Sequence, residues 1–173
     1  MNNIKHLAAF TLLLLCNVAN AFQIDSVAAR NMSSFKKFDG LEQNAIVIKT
    51  SNNNIRYVDR IELSSGELTN GEDSSFFVSA GPAWRFNKRV ARSGLAYIEL
   101  GISPTWIDSE NFSDESLGGH MFFTSNLQAG LHFGRHRELS LSVRVHHISN
   151  GGLSRENPGT DMVGIEMSYL FGR

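Results

Sequence analysis

The chain has 173 residues, with 16 Lys+Arg against 17 Asp+Glu and 42% hydrophobic residues. A near-neutral charge provides no field to gather nucleic acid, and a single cysteine builds neither a disulfide framework nor a cysteine-based zinc site. Beyond the N-terminus no apolar run approaches the ~18 residues of a membrane-spanning helix, while 15 Gly and 12 Phe with only 3 Pro suit closely paired strands.

The N-terminus reads as an export signal. Lys5 precedes an apolar stretch from Leu7 to Cys16, and Val18-Ala19-Asn20-Ala21 supplies an Ala-x-Ala end, the pattern of a signal peptide cleaved after Ala21. Residue 15, before Cys16, is Leu rather than a small side chain, which argues against lipid attachment there. Cleavage leaves 152 residues (173 − 21), free of cysteine, with a net charge of −2 once Lys5 is removed from the −1 of the whole chain.

From Phe22 onward the apolar residues recur every second position, the period of a strand with two different faces. Strand candidates centre near residues 28, 46, 59, 80, 100, 127, 143 and 166, the first two alternating least clearly. Polar, Asn- and Gly-rich segments punctuate them at 51–54, 69–74, 87–89, 110–119 and 134–137. Between Phe76 and Phe86 the even positions are apolar, as they are between Ala96 and Ile102. From Phe123 to Phe133 the odd positions carry Phe123, Leu127, Ala129, Leu131 and Phe133. The opposite faces hold Arg85, Glu99, Asn126, Gln128, His132, Arg144 and Glu166, too many polar groups for the dry core of a sandwich. The expectation is an all-β fold, an eight-stranded antiparallel transmembrane β-barrel over residues 22–173, with its apolar face toward lipid and a polar lumen. Eight strands of ~11 residues leave roughly 64 residues for connections, proportions that suit a small outer-membrane barrel. Tyr57, Trp84, Trp106 and Tyr169 fall toward strand ends, where an aromatic girdle sits. A soluble up-and-down barrel is the other fold that the pattern permits.

The chemistry concentrates in the hairpin 139–171. Leu139, Leu141, Val143 and Val145 share a face, and the same parity continues to His147 and Ser149; Val163, Ile165, Met167, Tyr169 and Phe171 share a face that begins at Asp161. A histidine, a serine and an acid thus reach the lipid-facing side near the hairpin loop. A serine hydroxyl needs a base to take its proton, and a histidine base needs an acid to orient it. His147 and Ser149 project from one face about 7 Å apart, and Asp161 approaches from the neighbouring strand. Glu166 is the rival acid, but its parity turns it into the lumen. The competing view is a polar cluster near a loop, without catalysis.

The block His147-Ile148-Ser149-Asn150-Gly151-Gly152-Leu153, three residues, then Asn157-Pro158-Gly159-Thr160-Asp161 resembles the catalytic signature of the PagL family, the outer-membrane lipid A 3-O-deacylases. More loosely the resemblance extends over the mature chain. It implies His147 as general base and Ser149 as acyl-accepting nucleophile. Asp161 stands where the family usually has Glu, a departure that shortens the reach of the acid. Asn150 and Asn157 also match family positions, and a side-chain amide can stabilise the oxyanion of a tetrahedral intermediate. Asn157 is the expected direct donor and Asn150, by parity, the residue that shapes the loop. Gly151, Gly152 and Gly159 allow tight turns and a close approach to a bulky ester. Phe171 followed by Gly172-Arg173 departs from the aromatic terminal residue common in such barrels.

The resemblance further implies location in the bacterial outer membrane, lipid A of the outer leaflet as substrate, and no metal or cofactor. A homodimer is compatible with this. The rivals are a non-catalytic barrel serving adhesion or envelope structure, and an outer-membrane phospholipase, for whose frequent calcium requirement no acidic cluster is evident. His146 and His147 are adjacent in a strand, face opposite sides and are poorly placed to share a metal. His120, His132 and His136 are expected in lumen or loops. Lys88, Arg89, Arg92, Arg135 and Arg137 are expected in periplasmic turns.

Overall fold

The computed structural model describes residues 23–36, 40–51, 56–90, 94–109, 111–112, 115–116, 118–157 and 159–171. The leader 1–21 and the terminal Gly172-Arg173 lie outside them. Ten strands form in chain order: β1 (Ile24–Lys36), β2 (Glu42–Ser51), β3 (Arg60–Thr69), β4 (Ser74–Arg89), β5 (Leu95–Ile107), β6 (Asn111–Phe112), β7 (Glu115–Ser116), β8 (Met121–Phe133), β9 (Leu139–Ser149) and β10 (Thr160–Leu170). Eight of them pair antiparallel with their neighbours and close into a barrel, β1 meeting β10, while β6 and β7 form a two-residue ladder within the 108–120 connection.

Two boundaries differ from the sequence expectation. The third strand is centred several residues later than 59, because Arg56–Asp59 form a turn and approach in which Tyr57 takes a left-handed φ of 72°. The carbonyl of Tyr57 is held there by the Trp84 indole N–H. Asn87–Arg89, expected as a turn, continue β4, which ends at Arg89 before β5 starts at Leu95. Lys88 and Arg89 pair with Ala96 and Leu95, so charged residues extend the ladder past the apolar band.

Strand register fixes the tilt. Stepping across the ladders from Ser51 through Arg60, Ala83, Gly101, Asn126, His146, Met162 and Ser34 returns to Leu41, the residue before β2 and ten residues from the start. Ten residues of rise over eight interstrand spacings tilts the strands by about 40° from the barrel axis.

The interior is filled by side chains. Lys49 Nζ lies 2.6 Å from Glu99, 2.8 Å from Glu166 and 3.1 Å from Gln128 Oε1. Arg30 joins Glu62 at 2.8 Å and Glu166 at 2.6 Å, and Arg144 donates both terminal nitrogens to Glu62. Arg85 bonds Glu99 at 2.6 Å and lies over the Tyr97 ring, which also stacks on His132. Buried charges are costly unless paired, and a one-residue slip of any of these strands would turn its charge into lipid. The network therefore enforces the inward register. Nearer the end that carries the 108–120 and 150–159 connections, Met32, Leu41, Leu68, Phe77, Ile107, Phe122, Ile148 and Met162 pack as an apolar layer.

The outer wall is the complementary face. Ile46, Ile98, Leu127, Val143 and Ile165 are each at least half exposed, part of an apolar surface far larger than a soluble monomer presents. Hydrocarbon is its natural solvent, and closure leaves no unpaired strand edge within it. With its interior full, the barrel leaves chemistry to its outer wall and loops.

Candidate active site on the outer wall

In the β9–β10 ladder His147 lies directly opposite Asp161. Facing side chains of such a pair start from Cβ atoms about 5 Å apart, so a short carboxylate arm suffices. His147 Nδ1 and Asp161 Oδ1 are 2.7 Å apart. The carboxylate accepts the Nδ1 proton, which leaves Nε2 with the basic lone pair, the tautomer a general base needs. Both groups face outward, with His147 48% and Asp161 27% exposed at the side chain.

Ser149 ends β9 on the same face and stands opposite Phe123 of β8. Among the described residues no hydrogen bond joins Ser149 to His147; side-chain rotation must close that gap when substrate arrives, as catalytic contacts in unliganded sites often require. Glu166, the rival acid, is fully buried in the lumen network. His146 points inward and is 2% exposed, on the opposite face from His147.

The loop 150–159 is organised by Asn150, which is fully buried. Its N–H donates to Asn157 Oδ1 at 3.0 Å, its Nδ2 donates to the Glu156 carbonyl at 2.5 Å, and its Oδ1 accepts from Gly152 N at 3.0 Å. All of its side-chain polar atoms are thus engaged in loop contacts. Asn157 is exposed, and with its oxygen held by Asn150 its Nδ2 is the group left to donate outward. Gly151, Gly152 and Gly159 have φ of 64°, 84° and 54°, the left-handed region that glycine enters without strain. A Cβ on Gly159 would lie 3.3 Å from His147 Cε1, so this residue forms part of the wall beside the imidazole.

Two neighbours went unnoticed in the sequence. Ser125 of β8 lies opposite His147 on the side away from Asp161; it is the one polar residue in the outward run from Phe123 to Phe133, and that interruption was the available signal. Gly118 packs against the loop so closely that a Cβ there would meet the Glu156 carbonyl at 2.0 Å, a contact between distant segments with no sequence signature.

A family model described as lipid A 3-O-deacylase (PagL) matches residues 48–170, from within β2 to the end of β10. The chain belongs to the PagL family. Lipid A deacylase PagL of Bordetella bronchiseptica is 35% identical over 75 residues, which cover 43% of this chain and 41% of that protein; the match thus spans less than half of the relative. The crystal structure of the outer membrane enzyme PagL superimposes with a TM-score of 0.64 at 18% identity, covering 83% of this chain and 98% of that one. Neisserial surface protein A gives 0.53 at 10% identity, covering 86% and 95% respectively. These two likenesses carry the barrel fold. The range matched by the PagL model contains the whole hairpin from Leu139 to Leu170, including His147, Ser149 and Asp161.

Proposed function

We propose that the protein is a lipid A 3-O-deacylase of the outer membrane, a serine esterase acting through Ser149, His147 and Asp161. The observation that carries this is the His147–Asp161 hydrogen bond on a lipid-facing wall, with a serine two residues along the same face. Polar groups in that position need a reason, and a lipid ester supplies one. With the N-terminus periplasmic, β9 ends at the cell surface, which brings the three side chains to outer-leaflet depth.

Ser149 Oγ attacks the carbonyl carbon of the 3-hydroxyacyl ester at position 3 of the glucosamine while its proton passes to His147 Nε2. Asp161 holds the imidazole by Nδ1 and balances the imidazolium charge. The carbonyl oxygen becomes an oxyanion, for which Asn157 Nδ2 is the candidate donor; such a donor is worth roughly 3 kcal/mol in a known protease. Collapse breaks the ester C–O bond, His147 returns the proton to the sugar oxygen, and the acyl group stays on Ser149. Water deprotonated by His147 then attacks the acyl-enzyme, releasing the 3-hydroxy fatty acid and restoring the serine. Asn150 acts through the loop that presents Asn157.

The test is to incubate the folded protein and its Ser149→Ala variant with purified hexa-acyl lipid A and to weigh the products by mass spectrometry. Loss of one 3-hydroxyacyl chain only with the intact serine is the expected result. Intact lipid A with both proteins would leave a structural or adhesive barrel, and cleavage of glycerophospholipid instead would mark a phospholipase.

A further inference from the structure

Hydroxyl groups flank His147 on two sides. Ser149 follows it two residues along β9, and Ser125 faces it from β8, on the side away from Asp161. The Ser125 side chain is exposed on the outer wall, with Phe123 before it and Leu127, Ala129 and Leu131 after it on the same face. Among the described residues its hydroxyl has no hydrogen-bond partner. A hydroxyl that meets hydrocarbon with no partner is costly, so this position calls for a polar group on the lipid itself.

The register places Ser125 on the track of the substrate. Ser149 lies level with Phe123, so Ser125 is its diagonal neighbour, one pair further from the hairpin loop. Side chains so related have Cβ atoms about 7–8 Å apart. The bond to Asp161 draws the imidazole toward β10, and a Cβ on Gly159 would lie 3.3 Å from His147 Cε1, which closes that side. The Phe123 ring is turned up toward the loop, 3.0 Å from where a Cβ on Gly151 would stand. An acyl chain that leaves Ser149 toward the bilayer centre therefore passes on the β8 side. It crosses Ser125 and runs on over the outward pairs Leu127–Val145, Ala129–Val143 and Leu131–Leu141.

We infer, resting on the deacylase reading above, that Ser125 is a specificity-determining residue, which hydrogen-bonds the 3-hydroxyl of the acyl chain under attack. In the tetrahedral intermediate Ser149 Oγ is bonded to the first carbon of that chain, and the hydroxyl sits on the third. Ordinary bond lengths then put the two oxygens about 5 Å apart when the chain is extended. A hydrogen bond of about 2.8 Å from there reaches about 7–8 Å from Ser149 Oγ, the diagonal spacing of the two serines. The 3-hydroxyl is the one polar group on an alkyl chain, and Ser125 is the one polar residue on its path; each satisfies the other where water is scarce. Ser125 is not a second partner of the base. Nε2 lies on the Gly159 side of the ring, 3.7 Å from the Cβ position there, turned toward the loop.

The experiment uses the full-length folded barrel, wild type, Ser125→Ala and Ser125→Thr, with two p-nitrophenyl esters of equal length, decanoate and 3-hydroxydecanoate. The readout is the ratio of their kcat/KM values, compared between proteins so that the intrinsic reactivity of the esters cancels. Loss of one hydrogen bond predicts that Ser125→Ala lowers the ratio in favour of the hydroxylated ester about five- to tenfold, with decanoate turnover within about twofold of wild type. Ser125→Thr, which keeps the hydroxyl, should restore most of the ratio. Release from hexa-acyl lipid A should slow by a similar factor in Ser125→Ala. An unchanged ratio would overturn the assignment, and so would a parallel fall on both esters, which would mark an effect on His147 instead. Wild type that leaves lipid A intact would bring down the deacylase reading and this role with it, a result distinct from the others because it needs no variant. Heat-modifiable electrophoretic mobility checks that each variant is folded.

Discussion

Replacing Asp161 by Asn removes the charge that orients His147 while keeping the size of the side chain. The carboxylate and imidazole touch at 2.7 Å, which puts the centres of charge about 4 Å apart once His147 is protonated in the transition state. At an effective dielectric of about 20 that pair is worth about 4 kcal/mol, or three decades of rate. Both side chains are partly exposed, so screening trims the figure. The amide can also turn its NH2 toward Nδ1 and select the tautomer in which Nε2 carries the proton and cannot act as base. A fall in kcat of about 10²–10³ with KM little changed is expected, read as acyl release from lipid A under saturating substrate. Stability should barely move, because a partly exposed pair contributes at most about 1 kcal/mol to folding. Activity within threefold of wild type would refute the orienting role, since Glu166, the other acid of β10, is sealed inside the barrel and cannot substitute.

Glu166→Ala should show the converse. It strips partners from Lys49 and Arg30 in the lumen and should cost about 3–5 kcal/mol of stability, seen as a lowered unfolding temperature in detergent, with kcat of the folded fraction close to wild type. Gly164→Ala drives a Cβ to within 2.0 Å of the Asn31 carbonyl and 2.5 Å of Met32 Cα, so it should hinder closure of β10 on β1 and lower the folded yield on heat-modifiability gels. Asn150→Ala removes the side-chain bonds to the Glu156 carbonyl and Gly152 N–H that hold the 150–159 loop; activity should fall by about tenfold or more, and limited proteolysis should cut the loop faster than in wild type.

Much of this architecture is written in the chain itself because a strand displays its sequence with a period of two. Alternation from Phe76 to Phe133 and from Leu139 to Phe171 was enough to assign which side chains face lipid and which face the lumen. It placed His147 and Asp161 on one side of the wall and Glu166 on the other. The same parity left β1 and β2 vague, since their outward faces carry Asn31, Ser33 and Asn44 where lipid-facing residues would be apolar.

Tertiary structure alone decided the rest. That Asp161 meets His147 face to face depends on the β9–β10 register, which a ten-residue connection does not specify by its length. The start of β3 at Arg60 and the continuation of β4 through Arg89 follow from partners on other strands and from the Trp84–Tyr57 contact. Alternation tells each residue which face it occupies, but not its height; height comes from the ten-residue offset accumulated around the closed ring. Only closure could bring Asn31, near the start of the chain, level with His147, near its end.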